Sequence, residues 1–241
     1  MNFTNLYSAH TKGALHDYHD EILQIFQERL SSKADLFVDL VNYYKGLPIV
    51  YPAKVLAVQY DNLEIDVNPH QAAAVANDKY TLIRSRFFPH DIVAHVQYVD
   101  INRHTVAFNK LCYVELLADN RAALRLNLEP PAEAIVKYDS GIFAGAIPDI
   151  SINGLAVLTD SYMHLDTGVD VSVQFMLPDL EQQRHIPMVV PAKLVAFEAD
   201  KAPYRFRFRI APEKDQEKMI SKYCLQRQVE IIRNLKEIVE R

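Results

Sequence analysis

The chain has 241 residues, a length that suits one or two domains, each with its own core. Hydrophobic residues make up 49% and charged residues 24%, globular proportions that exclude the disordered and fibrous classes. A net charge of −5 argues against a protein that coats DNA or RNA, yet leaves room for one small anionic ligand in a local basic site.

No apolar run reaches the ~18 residues of a membrane span, and Met1-Asn2-Phe3-Thr4-Asn5 lacks the basic start and apolar stretch of a secretion signal. Cys112 and Cys224 are too few for a disulfide framework and read as ordinary thiols of a reducing cytoplasm.

In chain order, Leu15, Tyr18, Ile22, Ile25, Phe26 and Leu30 recur at three and four and predict a helix. Ser31-Ser32 breaks it and caps a second expected helix, carried by Leu36, Phe37, Leu40, Val41 and Tyr44 and stopped by Gly46 and Pro48. Residues 1–46 thus read as an N-terminal helical segment.

From Ile49 the texture changes to short β-branched runs: Lys54 to Val58, Leu63 to Val67, Asp91 to Val96, Thr105 to Phe108 and Cys112 to Leu117. Pro52, Asn62, Pro69 and Pro89 punctuate them, and the pattern over 47–118 suits a small antiparallel barrel or sandwich rather than a parallel sheet. Polar residues around Ala118-Asp119-Asn120-Arg121 mark a junction.

A second β region follows, with strands expected at Ala134 to Tyr138, Ile142 to Ile147, Leu155 to Leu158, Val169 to Met176, Pro187 to Ala199 and Tyr204 to Ile210. Glu213 to Arg241 reads as a long helix, acidic at its start and basic at its end as the macrodipole favours. The fold class is therefore mainly β with flanking helices: two small antiparallel barrels, an N-terminal helical segment and a long C-terminal helix, with the second barrel and its helix occupying 119–241.

Two motifs stand at the second barrel. Arg121-Ala122-Ala123-Leu124-Arg125 is an R-x-x-x-R, and Asp149-Ile150-Ser151-Ile152-Asn153-Gly154 is a D-x-S-x-x-G. An arginine fork matches a phosphate or the guanine O6 and N7 edge, and its plane can stack on a purine. Asp149 and Ser151 are two apart on an expected strand and share a face; a carboxylate there accepts from guanine N1 and the 2-amino group. Gly154 allows a close backbone approach. Taken singly, each motif also reads as a surface ion cluster or a turn.

Together, in this order and β context, the motifs resemble the PilZ family of cyclic-di-GMP receptors, from about Asn120 to the chain end. The resemblance implies that Arg121 and Arg125 grip phosphate and guanine edge and that Asp149 and Ser151 read the base. Asn120 stands where the family often has a further arginine, a position linked to whether one cyclic-di-GMP or a stacked pair is bound. The first half resembles the amino-terminal barrel of YcgR-like flagellar-brake proteins, which implies a ligand at the interdomain junction and a change of domain orientation. It also implies a cytoplasmic receptor that is not an enzyme, needs no cofactor or metal, binds no DNA, and acts on a protein partner in motility or biofilm formation, the flagellar motor or matrix-synthesis machinery. Two other functions have their own signatures: a scaffold that acts through protein contacts without nucleotide, and a flavin-holding split-barrel oxidoreductase.

Three further features read more simply. His16 and His19, with His10 upstream, offer a zinc pair that would need more ligands, and are expected to be a solvated helix face. Tyr204-Arg205-Phe206-Arg207-Phe208-Arg209-Ile210 alternates, which predicts phenylalanines in the core and arginines on the water side rather than a nucleic-acid strip, although the arginine face could border the ligand's phosphates. The last helix has apolar residues on two sides, Ile220, Cys224, Ile231, Leu235 and Ile238 on one, Leu225, Val229, Ile232 and Val239 near another; a partner protein or a second copy, as in a homodimer, would cover the surplus.

Overall fold

The computed structural model describes residues 7–9, 15–32, 35–116, 123–198 and 201–240. Its elements in chain order are β1 (Tyr7–Ala9), α1 (Leu15–Ser31), β2 (Phe37–Tyr44), β3 (Leu47–Gln59), β4 (Asn62–Asp66), α2 (Pro69–Asn77), β5 (Tyr80–Arg84), β6 (Asp91–Asp100) and β7 (Thr105–Leu116). There follow β8 (Leu126–Tyr138), β9 (Gly141–Ser151), β10 (Gly154–Thr159), β11 (Asp170–Asp179), β12 (Arg184–Glu198), β13 (Tyr204–Ile210) and α3 (Lys214–Val239). They form two compact units, one of 1–44, 48–121 and 233–241, the other of 45–47 and 122–232.

In the first unit, strands run in the order β7-β4-β3-β2-β5-β6, and β6 pairs back onto β7 to close an antiparallel barrel, with β1 added beside β7. Buried Leu40, Leu63, Ile65, Ile83, Ile92, Val106 and Phe108 fill it. The expected helix α1 is present, and its Ile22, Leu23 and Phe26 join this core.

The helix expected through Leu36 to Tyr44 is instead β2, with the chain reversing at Lys45-Gly46, both at positive φ (53° and 88°). Two successive left-handed residues are the signature of a tight hairpin turn, not of a helix stop. The misreading has a physical source: Leu40 to Tyr44 are all buried, so the strand lacks the in-out alternation that reveals a half-exposed one. Helix α2 and strand β5 were not foreseen. Asn68 caps α2 by accepting from the His70 amide at 2.9 Å, with Pro69 at the first turn.

The second unit is a closed six-stranded antiparallel barrel in the order β10-β13-β12-β11-β8-β9. Every strand expected there exists, some longer than expected. Alternation does the sorting: Phe206, Phe208 and Ile210 of β13 are buried while Arg209 is exposed and Arg205 and Arg207 are half-buried. Phe206 stacks on Phe197 at 4.3 Å between centroids and meets Phe143 at 5.2 Å. Each such ring removes enough apolar surface from water to contribute about 1.5–3 kcal/mol. Helix α3 turns Ile220, Tyr223, Cys224, Arg227 and Ile231 inward, the three-and-four spacing of one face, and leaves Leu225, Val229 and Ile232 exposed. No helix among the described residues is long and apolar enough to cross a membrane.

Candidate functional site

The D-x-S-x-x-G motif is a strand end, a turn and a strand start. Asp149 and Ser151 close β9, Ile152-Asn153 make the turn, and Gly154 opens β10 paired with Ser151. Ile150 points into the barrel and is fully buried, so its neighbours Asp149 and Ser151 lie on the opposite face. Ser151 Oγ donates to the Gly154 carbonyl at 3.0 Å, which pins the turn and leaves the hydroxyl oxygen able to accept. A Cβ on Gly154 would stand 2.8 Å from the Phe208 carbonyl oxygen, so the close backbone neighbour of this glycine is β13.

Of the R-x-x-x-R pair, Arg125 stands just before β8, where Asn127 pairs with Asp149. Burial holds the Arg125 guanidinium below its usual pKa; Asp149 opposes this, while the like charges of Arg207 and Arg205 add to it. Arg125 therefore lies within electrostatic reach of Asp149, Arg207 and Arg205. Arg121 and Asn120 lie outside the described residues.

Asp149 is 9% exposed and its Oδ2 accepts from the Arg205 guanidinium. Arg207 pairs with Glu198 of β12. Both arginines stand on the face of β13 opposite Phe206 and Phe208. Three guanidinium groups against two carboxylates leave an excess of positive charge here, in a chain whose total is −5. Such a cluster suits a phosphate-bearing ligand, and its buried carboxylate suits hydrogen-bond donors such as a base edge. The expected core-facing phenylalanines are present; the placement of Arg205 on Asp149 was not foreseen. Its signal lay in the Arg-Phe alternation, which sets these arginines on the outer face of a strand that flanks β10, as β9 does on the other side.

His19 does not lie on the solvated helix face expected for the histidine pair. His19, Asp20 and Asp61 come close together, but His19 Nδ1 accepts from the Leu111 amide at 3.1 Å, which places the proton on Nε2, facing Asp61 Oδ1 at 2.7 Å. With both ring nitrogens engaged, His19 has no lone pair to offer a metal. It is buried, not solvated, and ties α1 to β7. The side chains of His10 and His16 lie outside the described residues.

Comparison with known proteins places this geometry. Residues 119–226 match the family model for the PilZ domain. No curated protein matches the sequence. Among solved structures, the chain is similar to Escherichia coli YcgR in complex with c-di-GMP, at 14% identity over 90% of this chain and 92% of that one, TM-score 0.42. It is likewise similar to the K. pneumonia MrkH–c-di-GMP complex, at 14% identity over 90% and 96%, TM-score 0.44, and to the Bacillus subtilis inhibitor of motility MotI/DgrA, at 13% identity over 81% and 97%, TM-score 0.41. The PilZ-domain match thus spans residues 119–226, the stretch that holds both motifs and the second barrel.

Proposed function

We propose that this protein is a cytoplasmic cyclic-di-GMP receptor, a regulatory protein rather than an enzyme. The observation that carries the reading is the electrostatic interaction of Arg125 with Asp149, one from each motif, beside the Asn127–Asp149 strand pairing within the stretch that matches the PilZ domain. Arg121 and Arg125 grip phosphate and the guanine edge. Asp149 accepts from the base, and the Ser151 oxygen, its proton already given to Gly154, accepts beside it. Gly154 keeps the turn close to β13. Asn120 stands at the position that sets whether one ligand or a stacked pair is held.

The motif arginines flank the point where the chain passes from the first unit to the second, so ligand capture there orders the connection and biases the orientation of the units. It can do so only through its different affinity for the alternative orientations. The changed surface then engages a protein of the flagellar motor or matrix-synthesis machinery, for which the exposed Leu225, Val229 and Ile232 of α3 are candidate contacts.

The test is calorimetric titration of cyclic-di-GMP into the wild-type chain and Arg121→Ala. Loss of a charge-assisted contact weakens binding by about 1–3 kcal/mol; equal affinity removes Arg121 from the site. Small-angle scattering with and without ligand tests the reorientation, and superimposable profiles reject it.

A further inference from the structure

The Asp149–Arg205 pair is half used. Arg205 Nη2 donates to Asp149 Oδ2, yet Asp149 Oδ1 and Arg205 Nε are both buried without a hydrogen-bond partner among the described residues. Arginine–carboxylate pairs commonly engage two donors with two oxygens, and buried polar atoms are satisfied as a rule. Here an acceptor and a donor are left over in one ion pair, on a side chain that is nine-tenths buried. The two atoms belong to different strands, β9 and β13, so barrel closure holds them together.

An acceptor beside a donor has a definite complement. Guanine presents N1–H beside O6, a donor next to an acceptor. Adenine presents the reverse, an unprotonated N1 beside the 6-amino group. We propose that Arg205 is a base-reading residue of the nucleotide site: its Nε–H donates to guanine O6 while Asp149 Oδ1 accepts from N1–H, so that the pair selects guanine over adenine. This rests on the cyclic-dinucleotide reading above and adds to it a residue outside both motifs. Because both atoms are covered in the ligand-free chain, the Arg205 side chain shifts as the base enters. The surrounding charge eases that movement: Arg125 repels Arg205, and the ligand's phosphates neutralise it.

The test uses the full chain and measures affinities for cyclic-di-GMP and cyclic-di-AMP by competition in wild type, Arg205→Met and Arg205→Lys. Wild type favours the guanine ligand. Arg205→Met loses about tenfold or more in cyclic-di-GMP affinity while cyclic-di-AMP changes by less than about threefold, so selectivity collapses. Arg205→Lys, which keeps a cation against Asp149 and hence the fold, fails to restore selectivity because it lacks the Nε–H. Proportional weakening of both ligands, or undiminished selectivity in the lysine variant, overturns the assignment of Arg205 while leaving the receptor reading intact. Absence of any cyclic-di-GMP binding by wild type overturns the receptor reading itself.

Discussion

Gly154 lies so close to Phe208 that a side chain could not be added without moving a strand: its Cβ would meet the Phe208 carbonyl oxygen at 2.8 Å. The obstacle is backbone in a closed barrel, not the tip of a flexible side chain. Gly154→Ala therefore forces β10 away from β13 and costs about 1–3 kcal/mol, as overpacking does. Chemical denaturation of the full chain measures it, and an unchanged midpoint would refute the packing role.

Arg227 ties α3 to β8. It is 4% exposed and donates to the Asn127 carbonyl at 3.2 Å, to Glu230 at 2.7 Å and to Glu129 at 2.8 Å. Arg227→Met strands these acceptors and destabilises the second unit by about 2–3 kcal/mol, below the cost of breaking a fully buried pair because Lys45 still holds Glu129. Unfolding followed by α3 helicity would show it. A loss under half of that would mean that the apolar face of α3 alone secures the helix.

The same contacts give the unit an acid dependence. Burial raises the Glu129 pKa, but hydrogen bonds from Lys45 and Arg227, reinforced by their charges, outweigh it, and the carboxyl ends below its ordinary value of 4.5. A depressed carboxyl adds stability that is complete above its unfolded value and is lost as pH falls through the folded one. The melting temperature of wild type should therefore drop more steeply below the ordinary glutamate range than that of Glu129→Gln. Parallel curves would contradict this.

Asp78 has the opposite sign. Burial pushes its carboxyl up to about 6, with the Asn42 hydrogen bond offsetting only part. It sits in a network in which Gln71 and Thr81 both donate to Asn42 Oδ1, at 2.6 and 2.9 Å. A raised carboxyl favours folding at low pH, and that contribution is lost as pH rises from the ordinary 3.8 through about 6. Asp78→Asn should stabilise the first unit at pH ~7.5, by on the order of 1–3 kcal/mol, and bring no such gain at pH ~4. A variant equally shifted at both pH values would show that shape, not charge, matters there.

Both cysteines are buried, and burial raises the thiol pKa of each, that of Cys224 to about 11. Since the thiolate is the reactive species, a thiol reagent at neutral pH should label the folded chain only as fast as it opens, and label both sites promptly in denaturant. Fast labelling of the folded chain would contradict the packing of α3 and β7.

The alternating stretches were legible because one face of each meets water: β13, with its Arg-Phe repeat, and helices α1 and α3, with their three-and-four stripes. Runs of consecutive buried residues hid β2 and α2. In β2, consecutive buried residues imitate a helical spacing, and in α2 Gln71 to Val75 are all buried, so no amphipathic period shows. Strand β8 starts earlier than its sequence pattern indicates because Pro130 and Pro131 fall where its pairing with β9 slips between Asn127 and Ala132, the kind of irregularity at which a strand tolerates proline. At the site, motif spacing and family resemblance pointed to Arg125, Asp149 and Ser151. The Arg-Phe alternation sets Arg205 on the outer face of β13, but its pairing with Asp149 follows only from the closure of β13, β10 and β9 into one wall.

Whether the cluster around Asp149 receives cyclic-di-GMP is decided by equilibrium dialysis of the labelled dinucleotide against wild type and Arg125→Ala. Wild type should bind saturably and the variant about tenfold or more weakly, with the barrel still folded. Wild type that retains no dinucleotide, or a variant that binds it equally well, would contradict that assignment.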